Sequence, residues 1–341
     1  MATTPQTNST LEDIAQVIRA NSTFVLCGHV SPDGDCLGSQ LALHHTLKAL
    51  DKESTLLLVR DDAIDQKLTF MPGVDEFIPA QQVLDDLPET GQAFDVFIGL
   101  DVPKRDRVGQ AAFSILDRCA DSVTIDHHAE PTTMANHVHV EPDSASTTIM
   151  VWRLCKLLLD TPPVESAVCA YTGLVTDTGC FQFQNTNTEA FLAAADLVAA
   201  GVKPSEVSRE ITQNETFAAI KLQSLAIERM ILLQNGQIAL SWITADDMRW
   251  LKAQKADADG VVGALRSIRG VRVACALREQ DGEVRGNLRS KDDSDVSVVA
   301  REFDGGGHRG AAGFKLKLPM ENAVSVIEDR LSRFDFDQRD A

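Results

Sequence analysis

Phe24-Val25-Leu26-Cys27-Gly28-His29-Val30-Ser31-Pro32-Asp33-Gly34-Asp35 decides the fold. Phe24 to Val30 is a short apolar run that reads as a strand. A Pro-Asp-Gly turn follows it, and from Leu37 to Leu50 apolar residues recur at helical spacing. Outward from this stretch the alternation repeats. Ser54 to Val59, Phe94 to Leu100 and Ser122 to Ile125 read as strands, and Val108 to Cys119 reads as a helix. Strands that alternate with helices predict an α/β domain, a parallel sheet with helices on both faces.

From Ser144 to about Gly201 the pattern becomes mostly helical, broken at Pro162-Pro163 and again at Gly201-Val202-Lys203-Pro204. Ser205 to Leu233 reads as one or two connecting helices. After them the strands Gln237 to Ile243, Val271 to Arg278 and Glu283 to Leu288 and the helices Ala245 to Ala253 and Glu321 to Phe334 indicate a smaller α+β domain. The expected division is residues 1–203 as the larger domain, 204–233 as a helical linker and 234–341 as the smaller one. A chain of 341 residues exceeds the comfortable size of a single core, so two domains are also the expectation from length.

Apolar residues make up 44% and charged residues 24%, ordinary for a globular protein, and the net charge is -18. A surface that tracks long nucleic acid needs a basic excess, so the balance argues against that class while leaving room for a local basic pocket. The seven cysteines, Cys27, Cys36, Cys119, Cys155, Cys169, Cys180 and Cys275, are odd in number, form no C-x-x-C and sit mostly in apolar runs. Buried thiols in a reducing compartment explain them best. The residues from Met1 to Thr10 lack a signal-peptide pattern and no apolar run approaches a membrane span, so the expectation is a cytoplasmic protein with no membrane partner.

Four short motifs carry chemistry in the larger domain. His29, Asp33 and Asp35 follow the first strand, where open α/β sheets bind ligands. Asp101 directly follows the strand Val96 to Leu100. Asp126-His127-His128 follows Val123 to Ile125, and Asp177 ends a helix in Thr176-Asp177-Thr178-Gly179. Singly, each has a bland reading as a turn, cap or surface residue. Together they deliver acids and imidazoles to one sheet edge. His29, Asp33, Asp35, Asp101, His127 and Asp177 form a set able to hold two divalent cations, one carboxylate bridging ions roughly 3.5–4 Å apart. Oxygen-rich ligation with a few imidazoles suits Mn2+ or Mg2+ better than structural zinc. His44-His45, mid-helix without neighbouring acids, is assigned no function.

A fifth motif lies in the smaller domain, Gly305-Gly306-Gly307-His308-Arg309-Gly310-Ala311-Ala312-Gly313. Its glycines read as a loop that permits an anion nest, and Arg289-Ser290-Lys291 upstream offers charge-assisted hydrogen bonds to phosphate. No P-loop or dinucleotide fingerprint is present.

In order and spacing these motifs resemble those of the DHH phosphoesterases that carry a C-terminal DHHA1 domain, and within them the stand-alone NrnA-like branch of oligoribonucleases and pAp phosphatases. The resemblance spans nearly the whole chain, from about Leu11 to the C-terminal helix. It implies that His29, Asp33 and Asp101 hold one metal and that Asp35, Asp101, His127 and Asp177 hold the other, with Asp101 bridging. It implies that His128 contacts the scissile phosphate and that Asp126 supports it. Arg289, Ser290, Gly305, Gly306, Gly307 and His308 would hold the substrate across an interdomain cleft. The Ala145-Ser146-Thr147 element is often followed by a glutamate in the family, whereas Thr148 stands here. Arg107 matches a recurrent arginine without an evident role.

The expected chemistry is Mn2+-dependent, 3'-5' exoribonuclease-type hydrolysis of short oligoribonucleotides or linear dinucleotides such as pApA to mononucleotides, together with the monoester pAp. A homodimer is an expectation carried by the family. The enzyme rivals are a cyclic dinucleotide phosphodiesterase and a family II pyrophosphatase, whose C-terminal domain differs. A RecJ-like exonuclease would need more chain for binding single strands. From another class, a nucleotide sensor without turnover would bind and form no product.

Overall fold

The alternation is realised in a computed structural model that describes residues 7–60, 64–102, 104–129 and 134–336, with the backbone alone described at Asp106 and His308. The chain divides into two compact units, Met1–Asn214 and Glu215–Ala341.

In the first unit the chain runs α1 (Leu11–Ala20), β1 (Thr23–Cys27), α2 (Gly34–Ala49), β2 (Glu53–Leu58), β3 (Phe77–Pro79), α3 (Ala80–Asp86), β4 (Phe94–Leu100), α4 (Gln110–Leu116), β5 (Cys119–Asp126) and β6 (His137–Val140). The helices α5 (Thr147–Leu158), α6 (Val164–Asp177), α7 (Thr188–Ala199) and α8 (Pro204–Thr212) complete it. The strands form one sheet in the order β3-β2-β1-β4-β5-β6, and each neighbouring pair is parallel. The order reverses about β1, whose neighbours are β2 on one side and β4 on the other. The carboxyl ends of β1 and β4 therefore flank a topological switch point, where such sheets leave a crevice.

The central strands are apolar on both faces because helices cover both. Phe24 and Leu26 join a core with residues of α1, α2, α5 and α6. Val25 and Cys27, pointing the other way, join a second core with Ala80, Val83, Ala112 and Phe113 of α3 and α4. Two strands escape the periodicity. β3 is three residues long, and the alternation in β6 is masked by His137 and His139. The outer edge of β6 is covered by the segment before α1. Asn8 and Ser9 donate their backbone N–H groups to the Val138 carbonyl at 3.0 and 3.2 Å, and Val138 N–H donates to Asn8 Oδ1 at 2.8 Å.

α2 is buried almost all round, so it cannot read as amphipathic. It lies against α6 with little separation. A Cβ on Gly38 would stand 2.5 Å from the Cys169 carbonyl oxygen, and one on Gly173 would stand 3.0 Å from Asp35 Cα. These glycines let two helix backbones approach, which places the start of α2 beside the end of α6.

The second unit contains α9 (Phe217–Glu228), β7 (Ile231–Leu233), β8 (Ile238–Ile243), α10 (Ala245–Leu251), α11 (Val261–Ser267), β9 (Val273–Gln280), β10 (Glu283–Ser290), α12 (Ser297–Arg301), β11 (Gly306–His308), β12 (Ala311–Leu316) and α13 (Met320–Ser332). Its sheet has the order β11-β12-β10-β9-β8-β7. It is antiparallel except where β8 meets β9. One face packs Leu277, Leu288 and Phe314 against Val299, Ile327 and Leu331 of α12 and α13. The other packs Ala239 and Ala274 against Leu222 of α9 and Leu265 of α11.

The glycine-rich stretch differs from the loop expected of its composition. Gly306–His308 is a short strand that pairs with Ala311–Gly313. Its glycines serve close approach, since a Cβ on Gly305 would stand 2.2 Å from the Gly313 carbonyl oxygen. Among the described residues no helix is long and apolar enough to cross a membrane, and all seven cysteines are free.

Candidate metal centre

Three strands and two helices aim carboxylates and imidazoles at one point. Beyond β1, the N–H of Val30 donates to the Arg107 carbonyl oxygen at 2.8 Å, which holds the following loop. That bond gives Arg107 a backbone part in the site. His29 is buried and its Nδ1 lies 2.9 Å from the Val30 carbonyl oxygen. This leaves Nε2 to face Asp101 at 3.4 Å and Asp33 at 3.8 Å. Asp33 caps α2: its Oδ1 accepts from the N–H groups of Asp35 and Cys36 at 3.1 and 3.0 Å, and its Oδ2 is turned to His29. The turn reading and the ligand reading therefore apply to different oxygens of one side chain.

Asp35 sits in the first turn of α2 and also at the start of α5. Its carboxylate accepts from Thr147 N–H at 2.7 Å and Thr148 N–H at 2.9 Å, groups that every helix start leaves unpaired. Thr147 adds a hydroxyl that donates to Asp101 Oδ1 at 3.1 Å. This explains the Ala145-Ser146-Thr147 element, whose function the bare sequence does not reveal. The signal was a Ser/Thr cluster directly before an apolar helix.

Asp101 is the hub. Its N–H donates to the Ile125 carbonyl oxygen at 3.1 Å, and its φ of 56° lies in the left-handed region, where Asp and Asn are the best tolerated residues after glycine. Oδ1 lies 3.6 Å from His127 Nε2 and 3.5 Å from His128 Nδ1. His127 Nε2 also lies 4.0 Å from Asp35 and 3.9 Å from Asp177. Asn185 Nδ2 donates to Asp177 Oδ2 at 3.3 Å, another contact invisible from spacing. Asp126, fully buried at the end of β5, accepts from His128 N–H at 3.1 Å and faces His128 Nδ1 at 2.8 Å. This fixes Nδ1 as the protonated nitrogen and leaves Nε2 for a ligand. By contrast, His44 is engaged by Ser54 and Glu76, and His45 by the Pro72 carbonyl.

The electrostatics show what the cluster lacks. Burial first, then the Asp35 and Asp33 charges, hold Asp101 well above the ordinary carboxylate range. Burial also raises Asp35. Burial and the Asp35 charge push Asp177 up to about 7. Burial disfavours the His127 imidazolium, but Asp35, Asp101 and Asp177 outweigh it and push it up to about 9. Among the described residues no lysine or arginine pairs with these carboxylates. Buried carboxylates that outnumber the one imidazolium beside them and have no lysine or arginine partner fit bound cations. So does the geometry: His29, Cys36 and Asp101, then Asp101, His127 and His128, then Asp35, His127 and Asp177 each place ligand atoms within 4.8 Å of one another.

Arg289, Ser290 and the Gly305 to His308 stretch belong to the second unit. His308 pairs with Ala311, and Ala311 pairs with Arg289 across β12 and β10. The Arg289 side chain donates to its neighbour's Leu288 carbonyl at 2.9 Å. The side chain of His308 lies outside the described residues. Ser290 is buried, donates its backbone N–H to the Gly310 carbonyl oxygen at 3.0 Å, and donates its hydroxyl to the Asp292 carbonyl at 3.0 Å.

The family model of the DHH N-terminal domain matches residues 23–202, more than half of the chain. The chain belongs to the DHH family. A DHHA1 domain matches residues 246–333. This DHH protein is similar to the bifunctional oligoribonuclease and PAP phosphatase NrnA of Thermus thermophilus, with 29% identity over 328 residues and 94% of each chain covered. The NrnA of Bacillus subtilis is 26% identical over 323 residues, covering 93% of this chain and 96% of that one. An exopolyphosphatase-related protein from Bacteroides fragilis superposes with a TM-score of 0.86 at 27% identity, covering 95% of this chain and 96% of that one. The exonuclease RecJ bound to manganese shares the fold, with a TM-score of 0.57 at 15% identity, covering 98% and 97%.

Proposed function

We propose that this DHH protein is a metal-dependent phosphoesterase that hydrolyses short oligoribonucleotides and dinucleotides such as pApA to mononucleotides, and pAp to AMP. The observation that carries the reading is the convergence on Asp101 of His29, His127 and His128 with the buried Asp35 beside them. Full-length similarity to NrnA proteins supports the substrate class.

In this reading His29, Asp33 and Asp101 hold one divalent cation, and Asp35, Asp101, His127 and Asp177 hold a second. Oxygen-rich ligation with imidazoles favours Mn2+, with Mg2+ the alternative. When bound, the metals supply an activated water and stabilise charge on the phosphoryl oxygens. The chain's own groups do the rest. The Thr147 hydroxyl and the Ile125 carbonyl orient Asp101. Asp126 holds the His128 proton on Nδ1, so that Nε2 faces the scissile phosphate. Arg289, Ser290 and the Gly305 to His308 stretch bind a terminal phosphate or nucleotide of the substrate.

Asp101→Asn tests this. Asparagine tolerates the left-handed backbone, so the fold is kept, while the carboxylate charge that would face both cations is lost. We expect Mn2+-dependent cleavage of pApA to fall by at least about 100-fold. The rise in Tm that Mn2+ gives the parent should also vanish. Undiminished turnover sinks the scheme. A panel of pAp, pApA, a short RNA, cyclic di-AMP and pyrophosphate ranks the substrates.

A further inference from the structure

Beside the proposed ligands stands one further donor, the Cys36 thiol. Its sulfur lies within 4.8 Å of ligand atoms on both His29 and Asp101. Cys36 follows Asp35 in the first turn of α2 and is fully buried. Gly28 makes room for it: a Cβ there would stand 2.1 Å from the sulfur, so a larger residue after β1 would displace the thiol.

Hydrogen bonding separates this cysteine from its neighbours in the fold. Cys27 donates its S–H to the Gly28 carbonyl at 3.4 Å, Cys119 to Ile115 at 3.3 Å, Cys155 to Ala42 at 3.7 Å and Cys169 to Pro72 at 3.7 Å. Those thiols behave as small neutral core residues. The Cys36 sulfur accepts instead, from the His29 backbone N–H at 3.3 Å and from Gln40 Nε2 at 3.7 Å. A thiol sulfur is a weak acceptor, and N–H donors favour it much more once it carries charge. Gln40 is 1% exposed and its Oε1 is buried without a partner, so the amide presents its donor side to Cys36.

A separate observation points to a cation at this corner. Asp101 is 2% exposed, lies 3.4 Å from His29 Nε2 and has no lysine or arginine partner among the described residues. His29 Nδ1 faces the Val30 carbonyl, so Nε2 keeps its lone pair for a metal. Asp33 brings a second carboxylate to 3.8 Å from the same nitrogen. The donors are therefore one imidazole, two carboxylates and one sulfur. Such a set suits Zn2+, whereas Mn2+ and Mg2+ gain little from sulfur. Four protein ligands also fill the shell that Zn2+ prefers, while a catalytic cation needs a position open to water or phosphate.

We propose that Cys36 is a fourth ligand at the His29 corner, used by thiophilic cations and not by Mn2+, and that it makes this corner an inhibitory Zn2+ site. With Mn2+, His29, Asp33 and Asp101 hold the ion and the thiol keeps its proton. With Zn2+, the thiol proton passes to solvent, the sulfur joins the other three, and no position is left for substrate. The proposal rests on the two-cation reading of the centre and adds a metal preference that the oxygen ligands do not predict.

The test uses the full chain, Cys36→Ser, Cys36→Ala and, as a control for the thiol that follows Asp177, Cys180→Ser. Co2+ is the spectroscopic probe for Zn2+, because a bound thiolate adds an intense near-ultraviolet charge-transfer band. We expect that band in the parent and in Cys180→Ser, and in neither Cys36 variant. Displacement of Mn2+ by Zn2+, followed through the paramagnetic resonance of the released Mn2+, should need about 10- to 100-fold less Zn2+ in the parent than in the Cys36 variants. Zn2+ should stop Mn2+-dependent cleavage of pApA by the parent over the same range, with recovery after chelation and return of Mn2+. Serine keeps the size of the side chain and alanine removes every donor, and thermal melts establish that each is folded. A parent without the band, a band that survives in both Cys36 variants, or an unchanged ratio of Zn2+ to Mn2+ affinity overturns the proposal, whether or not pApA is cleaved. A parent that shows the band and binds Mn2+ yet hydrolyses no member of the activity panel overturns the phosphoesterase reading and leaves the thiolate site standing.

Discussion

Asp126 shows how a residue acts without meeting a ligand. One of its oxygens accepts both the N–H and the Nδ1 proton of His128, and the other is buried without a partner. Asp126→Asn keeps the shape but can present an N–H where an acceptor is needed, which turns the imidazole or shifts its proton to Nε2. We expect kcat on pApA to fall about 10- to 100-fold with KM little changed. The Nδ1 proton resonance of His128 should disappear from its hydrogen-bonded position. An unchanged resonance with reduced kcat would place the role of Asp126 elsewhere. At this scale much was legible. His29, Asp33, Asp35, Asp101, His127 and Asp177 were all readable because each lies at an element end, where short spacing settles direction. Thr147 was not, since it reaches Asp101 across a long stretch of chain, and Asn185 was not, since its turn back to the nearby Asp177 follows no helix or strand spacing.

Among the elements, the contact between α2 and α6 sets the precision of the site. Gly38→Ala places a methyl group against the Cys169 carbonyl, a backbone atom that cannot swing aside. The helices must separate, and we expect a loss of about 1–3 kcal/mol in urea unfolding. A loss of apparent Mn2+ affinity should accompany it, since Asp35 and Asp177 ride on these two helices. Full affinity in a destabilised variant would uncouple packing from the site. The edge strand β6 carries a separate ion cluster. Burial would raise the Glu141 carboxyl, but hydrogen bonds from His139 at 2.8 Å and Arg153 at 2.5 Å hold it at about 2, against an ordinary 4.5. A depressed acid stabilises the fold above its unfolded pKa and loses that contribution as pH falls through the folded one. The contribution is therefore complete above about pH 4.5 and gone below about pH 2, at most about 3 kcal/mol. Glu141→Gln should lower stability at neutral pH and flatten the acid limb of the stability curve. Parallel curves for parent and variant would refute this.

For the whole molecule, the proposed metal ligands all lie in the first unit and none in the second. Divalent metal should therefore stabilise the two units unequally. A cation at a hundredfold excess over its Kd adds about 2.7 kcal/mol to what it binds. Hydrogen exchange with and without Mn2+ should show added protection at β1, β4, β5, α2 and α6, and none at β8, β9 and β10. Equal protection of both sets would mean that the units unfold together. The sequence by itself determined the α/β class, the order of the motifs and the carboxylates and imidazoles, because strand and helix periods and the residues that end them are local properties. The expectation that the glycine-rich stretch is a loop failed for the same reason: composition records where a backbone can come close, and only the pairing partner, here β12, says what it approaches. Tertiary structure alone decided three things. Asp101 is the hub of the imidazole contacts, Asp35 serves two helix ends at once, and the Cys36 sulfur lies beside His29 and Asp101. Each depends on strand register and helix approach, distances between residues far apart in the chain that no local pattern encodes.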